Sequence, residues 1–177
     1  MGPCNTYSHF FLINIVITYI IYIFYVMKNL GYISASSQPI TWFLKREIIE
    51  LSKFTKIYIF TEKNKDIEIL CRNKNIFFIE LNFSRRVSFI KDFISIIRLI
   101  KFIKQKNIKF IKTITLKGGF VGMTAAIFCK VNKRYHVNAG IAWMRKNLFI
   151  KIFSYIFEIP TMLISTHIQT DSFEQRE

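Results

Sequence analysis

The stretch KFIKTITLKGGFVGMTAAIFC, Lys109 to Cys129, decides the fold class. Its first seven residues, Lys109–Thr115, are rich in β-branched side chains and read as a strand. Leu116–Gly119 follow as a turn, and Phe120–Cys129 reads as a helix whose Gly122, Ala125 and Ala126 permit close approach to neighbours. Lys133–Val137 (KRYHV) comes next as another strand, so the stretch opens a strand-helix-strand unit of the kind that builds parallel sheets. The same alternation runs upstream. Leu30–Ser34 is a first strand, Trp42–Ser52 a helix, Lys56–Phe60 a second strand, Asp66–Asn73 a short helix and Asn75–Leu81 a third strand. The clearest helix is Phe89–Lys106, where Phe89, Ile90, Phe93, Ile97, Ile100 and Ile103 recur at three- and four-residue steps. Ser88 is its expected N-cap, with Asp92 near the positive end of the dipole. Downstream, Arg145–Phe157 reads as a helix stopped by Pro160, Met162–Ser165 as a sixth strand, and Asp171–Glu177 as the start of a helix. The expected class is therefore α/β: a Rossmann-like parallel sheet with helices on both faces.

Composition agrees with that reading. The 177 residues are 51% hydrophobic, enough for a real core, with 33 isoleucines and 19 phenylalanines. Six glycines and three prolines are too few for the tight turns of a small all-β barrel. Charge is one-sided: 26 Lys and Arg against 11 Asp and Glu give +15, which calls for an anionic partner, whether nucleic acid, an acidic membrane surface or a phosphorylated substrate. Between Asn82 and Lys117 ten basic residues face the single acid Asp92. The same run also fits a merely solvated lysine-rich helix face. Cys4, Cys71 and Cys129 stand far apart and in no CxxC spacing, so neither a disulfide framework nor a zinc site is indicated. His9, His136 and His167 are equally scattered, and no metal or other cofactor is expected.

Phe10–Val26 (FFLINIVITYIIYIFYV) carries no charge over seventeen residues, the lower edge of what crosses a bilayer as a helix. Residues 1–26 are read as a membrane anchor, as a buried helix, or as an extension in front of a domain that opens at Met27. If the segment inserts, Lys28 and the basic body behind it keep the carboxyl side in the cytoplasm. Residues 27–177 form the α/β domain, with no internal repeat and no linker.

In an open parallel sheet, ligands sit outside the carboxyl ends of the strands, so the informative loops are Ser34–Thr41, Leu116–Gly119 and Asn138–Ile141. Lys117, Gly118 and Gly119 stand directly before a helix, where glycine lets backbone N–H groups approach an anion and Lys117 adds a point charge. A tight strand-to-helix turn accounts for the same glycines. Ser36, Ser37 and Gln38 suit sugar hydroxyls or a phosphate, or else local turn chemistry. His136, inside a strand, reads as a core histidine before a general base. Glu47, Glu50, Glu62, Glu80 and Glu158 form no recognisable acid/base pair.

Three segments in register resemble a known family. Thr115-Leu116-Lys117-Gly118-Gly119-Phe120-Val121-Gly122-Met123-Thr124-Ala125-Ala126 is similar to the T-x-K-x-G-x-x-G-x-x-A-A stretch in the amino-terminal domain of retaining GT-B glycosyltransferases of bacterial surface-polysaccharide synthesis. Lys133–Ile141 looks like the strand and H-x-x-G-L turn that comes next there, and Ser165-Thr166-His167-Ile168 with Asp171, Ser172 and Glu174 resembles the segment closing that domain. The resemblance implies a Rossmann-like acceptor-side domain, truncated before the donor-binding domain, at the cytoplasmic face of the membrane. Its implied partners are a nucleotide sugar held by a missing or separate lobe, a glycan or lipid-linked acceptor, an anionic membrane surface, and a carboxyl-terminal partner chain. The expected cleft residues are Ser36, Ser37, Gln38, Lys117, Gly118, Gly119, Asn138 and Gly140. This chain has Asn138 and Ala139 where some members carry a turn histidine, which argues against catalysis by His136. A basic α/β module that binds nucleic acid or an anionic membrane without catalysis is the alternative.

Overall fold

The computed structural model describes residues 29–81, 89–138 and 148–170. Residues 1–26, Ser88, Gly140 and Asp171–Glu177 lie outside them, and so do the expectations attached to those positions. Six strands form one sheet: β1 (Asn29–Ser34), β2 (Ile57–Thr61), β3 (Ile76–Glu80), β4 (Ile108–Ile114), β5 (Lys133–Asn138) and β6 (His167–Thr170). Their order is β3-β2-β1-β4-β5-β6 and every neighbouring pair is parallel. Five α-helices connect them: α1 (Lys45–Ser52), α2 (Lys65–Leu70), α3 (Phe89–Gln105), α4 (Leu116–Phe128) and α5 (Leu148–Ile164). A five-residue π-helical turn, Ile40–Leu44, runs into α1. The expected Rossmann-like α/β fold is the fold observed.

Both faces of the sheet are covered, which is why its central strands are mostly apolar instead of alternating. On one face Leu30, Tyr32, Ile57, Ile59 and Ile76 pack under Ile40, Leu44, Ile48, Leu51, Ile67 and Leu70 of the π turn, α1 and α2. On the other, Ile33, Phe60 and Ile111 meet Leu99 and Ile103 of α3 and Val121, Ala125 and Ala126 of α4. Gly122 belongs to this packing: a Cβ there would come within 2.7 Å of Thr113 Cγ2.

Several boundaries differ from the sequence expectation, most widely around Pro160 and at Leu116. Pro160 does not stop its helix; α5 continues through it to Ile164, and the sixth strand begins at His167 instead of Met162. Proline leaves a carbonyl of the preceding turn without its N–H partner. Two hydroxyls near it bond back onto helix carbonyls: Thr161 Oγ1 donates to Phe157 O at 2.7 Å and Ser165 Oγ to Thr161 O at 2.6 Å. The helix expected from Phe120 starts one turn earlier, at Leu116, because Thr115 caps it. Among the described residues no helix is long and apolar enough to cross a membrane.

Candidate functional site

The strand order places β1 and β4 side by side at the centre, with the chain wound outward on either side of them. That is the switch point of a doubly wound sheet, where loops leaving adjacent strands part and open a crevice. The two loops are Ala35–Pro39 after β1 and the Thr115 cap after β4. One side chain joins them: Thr115 Oγ1 accepts from Gly118 N at 3.3 Å and from Ala35 N at 3.2 Å. Thr115 holds φ 74° and ψ 147°, a region that strains a β-branched residue by about 1–3 kcal/mol, so the surrounding structure must over-determine it.

Gly118 and Gly119 lie in the first turn of α4 and are buried. A Cβ on Gly118 would stand 2.8 Å from Ala35 N, and one on Gly119 would stand 2.6 Å from His136 Cε1. The glycines thus let the helix start press onto β1 and β5. Their own N–H groups bond to Thr115 Oγ1 and, at 2.7 Å, to Thr115 O. Lys117 Nζ reaches Asp92 Oδ1 of α3 at 2.8 Å, both side chains mostly buried, so it ties α3 to α4.

The β1 loop divides in two. Ser37 is buried and accepts from Asn64 Nδ2 at 2.9 Å, which pins the loop to the N-cap of α2. Ser36 is half-buried and Gln38 exposed, and these two face outward from the loop. Below them, Ser34 Oγ and Thr61 Oγ1 end β1 and β2 fully buried and without a protein partner.

At the end of β5, Asn138 is buried and its side chain bonds to Glu158 of α5. Burial pushes the Glu158 carboxyl above the usual range, against that hydrogen bond, and Glu158 Oε2 has no partner. His136 Nδ1 lies 2.8 Å from Thr113 Oγ1, and burial pulls the imidazole down to about 4. It is therefore neutral at physiological pH and packed against Gly119 and Thr161, the place of a core residue. Cys71 and Cys129 are free thiols that burial pushes up. Among the described residues no cluster of His, Cys, Asp or Glu can hold a metal.

The sequence reading missed the polar contact that seats the β1 crossover. Tyr32 OH donates to Glu47 Oε1, and Lys112 Nζ to Glu47 Oε2, each at 2.7 Å. Tyr32 and Lys112 are register partners across β1 and β4. Glu47 itself sits on α1, so the contact fixes that helix over the central strands. A lysine in the middle of an apolar strand was the available signal, since a buried charge needs a partner.

No protein-family model and no curated protein sequence matches the chain. Solved structures do. It is similar to the crystal structure of MurG from Acinetobacter baumannii, at 9% identity and TM-score 0.58, covering 81% of this chain and 41% of that one. A UDP-N-acetylglucosamine 2-epimerase matches at 14% identity and TM-score 0.61, over 81% of this chain and 42% of the other. A glycosyltransferase from Rickettsia africae matches at 17% identity and TM-score 0.53, over 73% and 33%. At such identities the likeness is one of fold, and that fold is one Rossmann-like half of a GT-B structure. The chain spans less than half the length of the structures it matches.

Proposed function

We propose that the chain is the acceptor-side half of a glycosyltransferase, which places a glycan or lipid-linked acceptor for attack on a nucleotide sugar held by a second lobe. The observation that carries the reading is the β1/β4 switch point on a GT-B half-fold, where Ser36, Gln38 and the Lys117–Asp92 pair would line the acceptor cleft. Two of the similar structures bear names from sugar chemistry, a glycosyltransferase and a UDP-N-acetylglucosamine 2-epimerase, which supports the same direction. Hydroxyls and amides suit an acceptor glycan, whose recognition is by hydrogen bonds. The reading puts the work at the cytoplasmic face of a membrane. The exposed Lys91 and Arg98 toward the start of α3 would meet anionic headgroups there, at about 1 kcal/mol per basic residue.

The test is binding and turnover with the chain alone and with a donor-binding lobe added, in one polypeptide or as a separate chain. Expected is acceptor binding by the chain alone, with sugar transfer only when the second lobe is present. Robust transfer without it overturns the division of labour. Tight, steeply salt-dependent binding to nucleic acid, with none to glycans, would favour the basic-module alternative.

A further inference from the structure

The outer side of the π turn and α1 carries side chains that the crevice does not use. Trp42 is 72% exposed, and Phe43 beside it is half exposed. The inward positions of the segment are Ile40, Leu44, Ile48 and Leu51, so a wide turn at Ile40–Leu44 leaves two consecutive aromatics pointing outward. Lys45 and Arg46 follow directly, both exposed, and neither has an ion pair among the described residues. On the opposite face of the sheet, α3 shows the same pairing in its first two turns. Ile90 is 76% and Phe93 62% exposed, with Ile94 and Ile97 beside them and Lys91 and Arg98 adjacent. Apolar residues of this size cost free energy in water and mark a contact surface when they gather.

Topology brings the two groups to one edge. The π turn leaves the carboxyl end of β1, and α3 starts where the chain leaves the carboxyl end of β3. Both groups therefore lie at the same carboxyl-end rim of the sheet, on its two faces. Aromatic rings beside cations are the chemistry of the bilayer interface, where rings sit at headgroup depth and Lys or Arg meets anionic lipid. We infer that this carboxyl-end rim is the surface that rests on an anionic bilayer, with Trp42 and Phe43 inserted and Lys45 and Arg46 on headgroup phosphates. The crevice then opens toward the lipid. The inference rests on the membrane location proposed above and adds which edge faces the lipid and through which residues.

Trp42 and Trp143 are the two tryptophans, so a Trp143→Phe chain makes Trp42 the sole indole reporter. Its emission is followed on titration with vesicles of phosphatidylglycerol and phosphatidylcholine, including lipids brominated near the headgroup. Expected are a shift to shorter wavelength, quenching by the shallow bromines, and a loss of vesicle affinity of roughly a hundredfold or more in Trp42→Ala/Phe43→Ala, which removes both inserted rings. Lys45→Gln/Arg46→Gln should weaken binding to anionic but not neutral vesicles. Vesicle binding with Trp42 emission unchanged overturns the rim assignment while leaving the membrane location standing. No vesicle binding at all overturns both. A Trp42 shift with soluble glycan and none with vesicles makes the rim a sugar platform and overturns the inference.

Discussion

His136 shows how burial settles what a titratable residue does. Its ring is held between β5, Gly119 and Thr161, and losing solvent outweighs the hydrogen bond to Thr113, so the folded protein binds its proton only near pH 4 while the unfolded chain binds it near 6.5. In that window the unfolded state carries more protons, so the contribution of His136 is complete above about pH 6.5 and is lost as pH falls toward 4. The full shift corresponds to about 3 kcal/mol. Urea unfolding between pH 4 and 7 should show His136→Asn losing less stability on acidification than the natural chain. Glu158 pulls the other way, because its raised folded value makes stability fall as pH rises through the carboxylate range. The difference between variant and natural chain isolates the histidine. At this scale the sequence was legible where a residue's own type decides, as with His136 in a strand-like run. It was silent where a distant partner decides. Lys112 and Glu47 lie 65 positions apart, and only the fold brings them within 2.7 Å.

Elements were legible by their periodicity and blurred at their ends. The first five strands follow from their apolar, β-branched runs and the long amphipathic helix from its side-chain repeat, whereas the sixth strand was expected at Met162–Ser165 and lies at His167–Thr170. The start of α4 did not follow, because a run of Leu, Lys and two glycines reads as a turn until Thr115 is known to cap it. Pro160 misled because proline removes one helix hydrogen bond without having to end the helix, and α5 runs on through it to Ile164. Thr115 invites a direct check. Thr115→Ala loses the cap and keeps the unfavourable φ, and should cost about 1–2 kcal/mol. Thr115→Gly loses the same cap but relieves the backbone, and chemical denaturation should find it more stable than the alanine variant. The reverse order would mean that the φ of 74° carries no strain.

For the whole molecule, the alternation of strands and helices made a parallel sheet legible, and with it the carboxyl-end crevice. What the crevice would contain was less so. Of the expected residues, Ser36 and Lys117 are partly exposed and Gln38 is exposed, just beyond the carboxyl ends of β1 and β4. Ser37, Gly118, Gly119 and Asn138 are buried, holding loops and helices in place. The reason is general to this architecture: a pocket at the switch point needs a rigid floor, and small or hydroxyl-bearing residues build the floor as well as the lining.

The central position of β1 also governs how the protein can assemble. β1 pairs with β2, near it in sequence, and with β4, which begins at Ile108, more than seventy residues further on. The middle of the sheet therefore closes only after three crossovers have been laid down, and such long-range pairing slows folding. Until β4 arrives, a growing chain holds β3, β2 and β1 with the apolar flank of β1 unpaired, a surface prone to join another chain. A fragment ending at Asn107 should accordingly show no cooperative thermal transition. One extended through Asn138, which adds β4, α4 and β5, should recover it in calorimetry.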